Sequence, residues 1–275
     1  GQNGMRATLP HLGFPLLLKE LIEQAQRKRT YLLRVVAALL LYTSVLVMTH
    51  DIFMQNLWNS LGTGRQVLEG LFMVTAWGIY LIVPALTCGA IAGERERETW
   101  QLLLVTRLGK WTILFEKYFS RIFTAFTFLI LTIPLMAVAY PLGGITTEGI
   151  IVTIWSLTLC LLYVTATGIC CSAWCHTIAG AFITTYILMA AWLFIPILTV
   201  MSFNSEPAAW LNSAIHKLIE TFFPKLQEAV LVPFIFYWDV LSAYSGASVG
   251  KLILSLFFNS IPILIQTFIL LLLAR

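Results

Sequence analysis

The sequence predicts an all-α membrane protein with six transmembrane helices. Three observations lead to this fold class. First, hydrophobic residues make up 59% of the 275 residues and charged residues only 11%, whereas a soluble domain carries roughly 25% charged residues. Second, several apolar stretches are long enough for a helix to cross a bilayer core of about 30 Å. Third, these stretches are continuous rather than alternating, which favours helices over a transmembrane barrel.

The six spans are predicted from the apolar stretches in chain order. Arg34 lies near the start of the first span, where a long arginine side chain can reach back to the membrane interface. The whole chain, residues 1–275, is predicted to form one membrane domain. The predicted spans cover residues 32–48, 67–92, 119–140, 149–173, 178–202 and 249–274.

A basic amphipathic helix is predicted before the first span, over residues 14–31. Its apolar side chains share one face and its charged side chains lie around the other. Such a helix beside a span usually lies in the plane of the membrane interface, so membrane lipid is a predicted partner. A solvated helix that packs on another protein is the alternative. The charged candidate residues of this interfacial helix are Lys19, Glu23, Arg27, Lys28 and Arg29.

Basic residues are distributed unevenly between the two sides of the predicted domain. Of the 17 Lys and Arg residues, 13 fall on the side that carries both chain ends and the connection between spans two and three. Because Lys and Arg are enriched in cytoplasmic loops, both termini are predicted to be cytoplasmic in a multi-pass protein of the inner or plasma membrane. This asymmetry needs no nucleic-acid partner to explain it.

The connection between spans five and six, residues 203–248, is long for a simple loop. It contains a helix-like stretch at 208–223 and an apolar stretch at 231–238 that is too short to span a membrane. Apolar segments of this length are typically re-entrant or interfacial. Short re-entrant exofacial helices are therefore predicted before the last span.

The connection between spans two and three carries the strongest functional signal. Residues 90–107 read AIAGERERETWQLLLVTR, alternating charge followed by an amphipathic run. An ordinary solvated loop would explain the arginines but not the interleaved glutamates or the leucines. Segment 93–117 is therefore predicted to be a cytoplasmic docking element for a soluble partner. Its candidate residues are Glu94, Arg95, Glu96, Arg97, Glu98, Thr99, Trp100, Leu103, Leu104, Thr106 and Arg107.

This segment resembles the permeases of type-2 ATP-binding-cassette (ABC) exporters, in which a stretch of the form AIAGERExGTxxxLLxTPL joins the second and third spans. Glu98 stands where glycine is usual and Arg107 where proline is usual. Weaker similarities are a tight turn at 168–177 and the sequence VPFIF at 232–236. The matching positions are Ala90 to Glu96, Thr99, Leu103, Leu104, Thr106 and Leu108.

The resemblance implies a permease that forms the translocation path of an ATP-driven exporter, with a coupling helix in segment 93–117. It also implies two copies of a separate ABC ATPase subunit, which carry ATP and Mg²⁺, and a second permease as homodimer or related heterodimer. The chain itself contains no GxxxxGK[ST] or HExxH motif, so it is predicted to be a transport subunit rather than an enzyme, without its own cofactor. An ATP-independent carrier or channel, and an assembly protein that recruits another cytoplasmic partner, are the alternatives.

Two smaller groups of polar residues have structural explanations. Cys171 and Cys175 share a helix face beside His176, and clustered soft ligands can hold a thiophilic metal. Cysteine packed as a small hydrophobe near a helix end is favoured instead, so no metal site is predicted. Glu69 lies near the exofacial end of span two, where Arg65, one turn earlier, predicts a local ion pair.

Overall fold

The computed structural model describes residues 22, 28–54, 64–96, 98, 109–140, 143–202, 237 and 249–274. Within these residues the chain is helical and has no strand, so the all-α prediction is confirmed. The helices with described bounds are α1 Lys28–Met54, α2 Gly64–Thr87, α3 Gly89–Glu96, α4 Lys110–Ala139, α5 Thr147–Trp174, α6 Ile178–Ser202 and α7 Val249–Leu273.

Three described helical stretches are long and apolar enough to cross a membrane. They are Gly64–Glu96, which joins α2 and α3, Trp111–Ala137 within α4, and Thr147–Trp174, which is α5. Shorter apolar stretches lie in α1, α6 and α7, among their described residues. These helices are compatible with a multi-pass membrane protein. The shorter stretches are Ala38–Val47, Ile178–Ala191 and Ile263–Leu273.

Helix α5 forms the centre of the bundle. It packs against α2, α3, α4, α6 and α7, and every residue from 163 to 173 is buried. A helix that is apolar on all sides is typical of such a central position. The outer helices expose large apolar side chains, among them Phe126, Ile187 and Phe268, as contact with lipid requires.

The two ends of the bundle are formed by different elements. At one end Gly64 N, which begins α2, donates to the carbonyl of Gly143 at 3.0 Å, in the connection between α4 and α5. At the other end Trp174 Nε1 donates to the carbonyl of Leu273 at 2.8 Å, which joins the last turns of α5 and α7. Helix α3 and the first turns of α4 and α6 lie at this second end, which we call the α3 end.

The predicted local ion pair lies at the end opposite α3. Arg65 Nε is 2.9 Å from Glu69 Oε1, which confirms the i, i+4 pairing. Near it, the ring of Tyr237 stacks on Phe72 with a centroid separation of 3.9 Å and an interplanar angle of 12°. Tyr237 is the described residue of the segment 203–248, and its ring is fully buried.

Several predictions fall outside the described residues or shift at an element boundary. Lys19, Glu23 and Arg27 of the interfacial helix lie outside the described residues, and Lys28 and Arg29 begin α1. Helix α4 begins at Lys110, so the last eight residues of the predicted docking segment form its first turns.

Candidate functional site

Helix α3 is separated from α2 by a short break. Pro84 lacks an N–H group, so α2 loses the hydrogen bond that would join residues 84 and 80 near its end. Cys88 then forms a turn, and Gly89, a poor helix former, begins α3. The residues AIAGERE at 90–96 lie on a short helix of eight residues, Gly89–Glu96, which continues the apolar stretch Gly64–Glu96 beyond the turn at Cys88.

The first turn of α3 is capped by a side chain of α5. The first N–H groups of a helix lack acceptors within the helix. The buried hydroxyl oxygen of Ser172 accepts hydrogen bonds from Ile91 N and Ala92 N, each at 2.9 Å. Ser172 thereby holds the start of α3 against the centre of the bundle.

We expect Ser172→Ala to lower the free energy of unfolding by roughly 1–3 kcal/mol, because it removes the acceptor of two buried N–H groups. Ser260→Ala is a matched control: Ser260 is equally buried, but its hydroxyl donates to the carbonyl of Phe257 in its own helix at 2.7 Å. Unfolding of the purified chain in mixed detergent micelles compares the two. Equal effects would contradict the capping role.

Lys117 of α4 forms an ion pair with α3. Its side chain is 1% exposed, and its ammonium lies 2.6 Å from Glu94 Oε1 and 3.0 Å from the carbonyl oxygen of Ala90. A buried ammonium is stable only when a nearby carboxylate and further acceptors replace its lost hydration. Glu94 is 28% exposed, so the pair lies at the boundary between the bundle interior and its surface.

One turn further along α4, Arg121 contacts the other side of the helix break. Its Nη1 donates to the carbonyl of Leu86 at 3.0 Å, in the last turn of α2. Cationic side chains near a helix C-terminus are favourable because they meet its carbonyl groups and negative dipole end. Lys117 and Arg121 therefore hold α3 and the end of α2 against one face of α4.

Glu96 connects α3 to α6. Its Oε2 accepts a hydrogen bond from Ile178 N, the first residue of α6, at 3.1 Å. Thr177 Oγ1 accepts a second from Gly180 N at 3.2 Å, so two oxygens satisfy this helix N-terminus. Gly93 of α3 lies close to the same residue of α6: a Cβ added at Gly93 would be 3.5 Å from Ile178 Cδ1. Helix α3 thus has polar contacts with α4, α5 and α6.

Glu98, just after the C-terminus of α3, has a left-handed backbone conformation. Glu98 has φ of 58°, and its N–H donates to the carbonyl of Arg95 at 3.0 Å. This is the hydrogen bond of a left-handed helix cap, a position that glycine occupies most readily. The side chain of Glu98 is exposed.

We expect Glu98→Gly to raise the free energy of unfolding by up to roughly 1 kcal/mol, because glycine adopts this φ without the steric penalty of an L side chain. Glu98→Ala is the control, since alanine keeps that penalty while removing the same carboxylate. Both are compared in the same detergent unfolding assay. If the two substitutions have the same effect, the left-handed cap does not determine the result.

The predicted docking residues divide into three groups. Glu94 and Glu96 make contacts within the chain. Arg95 is half-buried and Glu98 is exposed. The rest lie outside the described residues: Arg97, Thr99, Trp100, Leu103, Leu104, Thr106 and Arg107.

Sequence reasoning gave no role to Ser172, Lys117 or Arg121 in holding α3. Lys117 and Arg121 do carry a signal, because two basic residues one turn apart are unusual at the start of an apolar helix. Ser172 carries none, since its role depends on the position of another helix.

The cysteines of this end pack as small side chains. Cys88 lies in a cluster with Ala92 and Ala181, against which Cys175 packs, and Cys175 Sγ is 3.1 Å from Thr184 Oγ1. Among the described residues no group of three or more His, Cys, Asp or Glu side chains has a spacing suited to a metal ion.

Comparison of the chain with protein-family models found none that matches, and comparison with curated proteins found no significant match. A functional proposal therefore depends on the residues and contacts of the α3 end.

Proposed function

We propose that this chain is the transmembrane permease of an ATP-driven exporter of the ABC type. It forms the translocation path and couples that path to a separate ATPase subunit through segment 93–117. The observation that carries the proposal is the position of the sequence AIAGERE: it lies in the short helix α3 at one end of the bundle, which packs against α2, α5 and α6 and is hydrogen-bonded to Lys117 of α4. A coupling element needs this arrangement, because it must receive a force at one end and pass it to the spans.

The contacts of α3 make it suited to this role. Its buried residues Ala90 and Ile91 pack in one cluster with Ile169 of α5 and Leu114 of α4. Close-packed side chains resist compression and transmit displacement. Because α5 contacts most of the other helices, a movement of α3 would reach the centre of the bundle.

The left-handed backbone of Glu98 supports the proposal independently of the packing of α3. This residue occupies the position at which the exporter motif usually carries glycine, and its φ of 58° is one that glycine adopts readily. A backbone that glycine adopts readily at this position supports the proposal, although the side chain differs from that of the motif.

The same proposal sets the orientation in the membrane. Helices α1, α6 and α7 are additional spans, which makes six in total with both termini in the cytoplasm of a cell with an inner or plasma membrane. The α3 end is the cytoplasmic end because Arg95, Lys117 and Arg121 lie there, and basic residues are retained on that side. Two ATPase subunits bind ATP and Mg²⁺ beneath this end, and a second permease completes the path.

Co-purification tests the proposal. The full chain, tagged and expressed in its native membrane, is expected to retain a nucleotide-hydrolysing subunit, identified by mass spectrometry and by ATP hydrolysis in lipid nanodiscs. Glu98→Lys should reduce recovery of that subunit because it reverses an exposed charge at the α3 end. Glu148→Lys, with the same charge change in the first turn of α5 at the opposite end, should not.

Other outcomes support the alternatives. Cargo movement in reconstituted vesicles without ATP or a partner would indicate a secondary carrier or channel. Recovery of a cytoplasmic protein that hydrolyses no nucleotide would indicate an assembly protein. Either result would contradict the proposed function.

A further inference from the structure

We propose that Glu94 and Lys117 form a positioning pair that passes a displacement of α3 to α4. This inference rests on the proposed function, since it assigns the route by which movement caused by the ATPase enters the spans. Neither residue contacts nucleotide or cargo in this account. Their role is to fix the position of one helix relative to another.

Helix α3 is held near its start, so a rotation displaces its far end the most. The break at Cys88 lies at the start of α3, and Ser172 holds Ile91 and Ala92 by accepting hydrogen bonds from their backbone N–H groups. At a rise of 1.5 Å per residue, Glu94 lies roughly 9 Å along the helix from Cys88. A rotation of α3 about its start therefore moves Glu94 further than it moves Ile91, and Glu94 is one of the two groups that Lys117 contacts, the carbonyl of Ala90 being the other.

The Glu94–Lys117 contact is better suited to carry this movement than the contact with α6. It is a charge-assisted hydrogen bond of 2.6 Å to an ammonium that is 1% exposed, and breaking such a pair strands a charge away from water. Glu96, which reaches α6, is exposed, so water can replace its hydrogen bond at little cost. The polar contact of α3 with α4 is therefore harder for water to replace than its polar contact with α6.

Helix α4 is also attached to both sides of the break. Lys117 binds the carbonyl of Ala90 in α3, and Arg121 binds that of Leu86 in α2. A change in the angle between α2 and α3 must alter at least one of these contacts on α4. The pair therefore converts bending at the break into displacement of α4.

Hydrogen–deuterium exchange of the purified complex tests the inference. Peptides covering 89–98 and 110–122 are compared with and without a non-hydrolysable ATP analogue. In the unaltered complex both peptides should change their exchange rate on adding the analogue. In Lys117→Met the change in 110–122 should fall by about fivefold or more, a typical coupling between sites, while that in 89–98 remains. Lys117→Arg, which keeps the charge, should retain much of the response, and Glu96→Gln should retain all of it.

A purely structural role would give a different result. It would lower stability without separating the two peptides, so an unchanged α4 response in folded Lys117→Met would overturn the inference and leave the proposed function intact. Loss of the ATPase from this variant would also overturn it, because the pair would then serve docking. If Lys117→Met does not fold, Glu94→Gln, which keeps the shape and an acceptor, is read in the same way. If the unaltered chain retains no ATPase, the proposed function fails and the inference fails with it.

Discussion

Replacing Glu94 with alanine is expected to destabilise the chain by roughly 3–5 kcal/mol, because it leaves the buried ammonium of Lys117 without its carboxylate. The side chain of Lys117 is 1% exposed and that of Glu94 is 28% exposed. This difference makes the two sides of the pair unequal. After Glu94→Ala the remaining charge is on a side chain that is 1% exposed, whereas after Lys117→Met it is on a side chain that is 28% exposed, although its Oε2 is buried.

The three variants are therefore expected to differ in how much they lower the free energy of unfolding. Glu94→Ala should be more destabilising than Lys117→Met, and the double variant should resemble Lys117→Met because it contains no stranded ammonium. The free energy of unfolding in mixed detergent micelles measures all three. A double variant as unstable as the sum of the single variants would show that the two side chains do not act as a pair.

Replacing Gly168 with alanine is expected to have a comparable effect through steric overlap. A Cβ at Gly168 would lie 2.0 Å from Thr87 Oγ1 and 2.9 Å from Thr87 Cβ, and both residues are buried. Helices α5 and α2 would have to separate at the point where α2 ends. Overpacking of this kind costs roughly 1–3 kcal/mol and occasionally more, and we expect the upper part of that range.

Two further variants identify the cause. Gly78→Ala introduces the same methyl group in α2, where nothing lies within 4 Å of the new Cβ, so it should be neutral or stabilising by up to roughly 1 kcal/mol. Combining Gly168→Ala with Thr87→Gly removes both clashing atoms and should recover much of the loss. Failure of this rescue would show that close approach to Thr87 is not what requires glycine.

The helices were predictable from sequence because apolar length is a local property. Six of the seven helices with described bounds overlap a predicted apolar stretch, although α1 is longer at both ends, α2 ends earlier and α4 begins earlier; α3 matches no predicted stretch of its own. The break at Cys88 was not predicted, although Pro84 lies within the second predicted span and is a recognised signal for a disturbed helix. The continuous hydropathy through 92 concealed it.

The contacts of the α3 end were less predictable because they join distant residues. Glu94 and Lys117 are 23 positions apart, so neither helical spacing nor charge order indicates that they meet. Ser172 has no distinguishing sequence pattern, and the residues on either side of it in α5 are buried as it is. Two of the interleaved glutamates, Glu94 and Glu96, also make contacts within the chain that the charge pattern did not indicate. Charged residues of such a segment can thus stabilise the protein through internal contacts as well as form a docking surface.

The central claim is that the α3 end faces the cytoplasm and is covered there by an ATPase. Labelling of Glu98→Cys with a membrane-impermeant maleimide tests it most directly, with the unaltered chain as the measure of labelling at its five cysteines. The account predicts labelling in inside-out vesicles, none in intact cells, and protection when the co-purified ATPase is bound. Labelling from outside intact cells, or labelling unaffected by the ATPase, would contradict it.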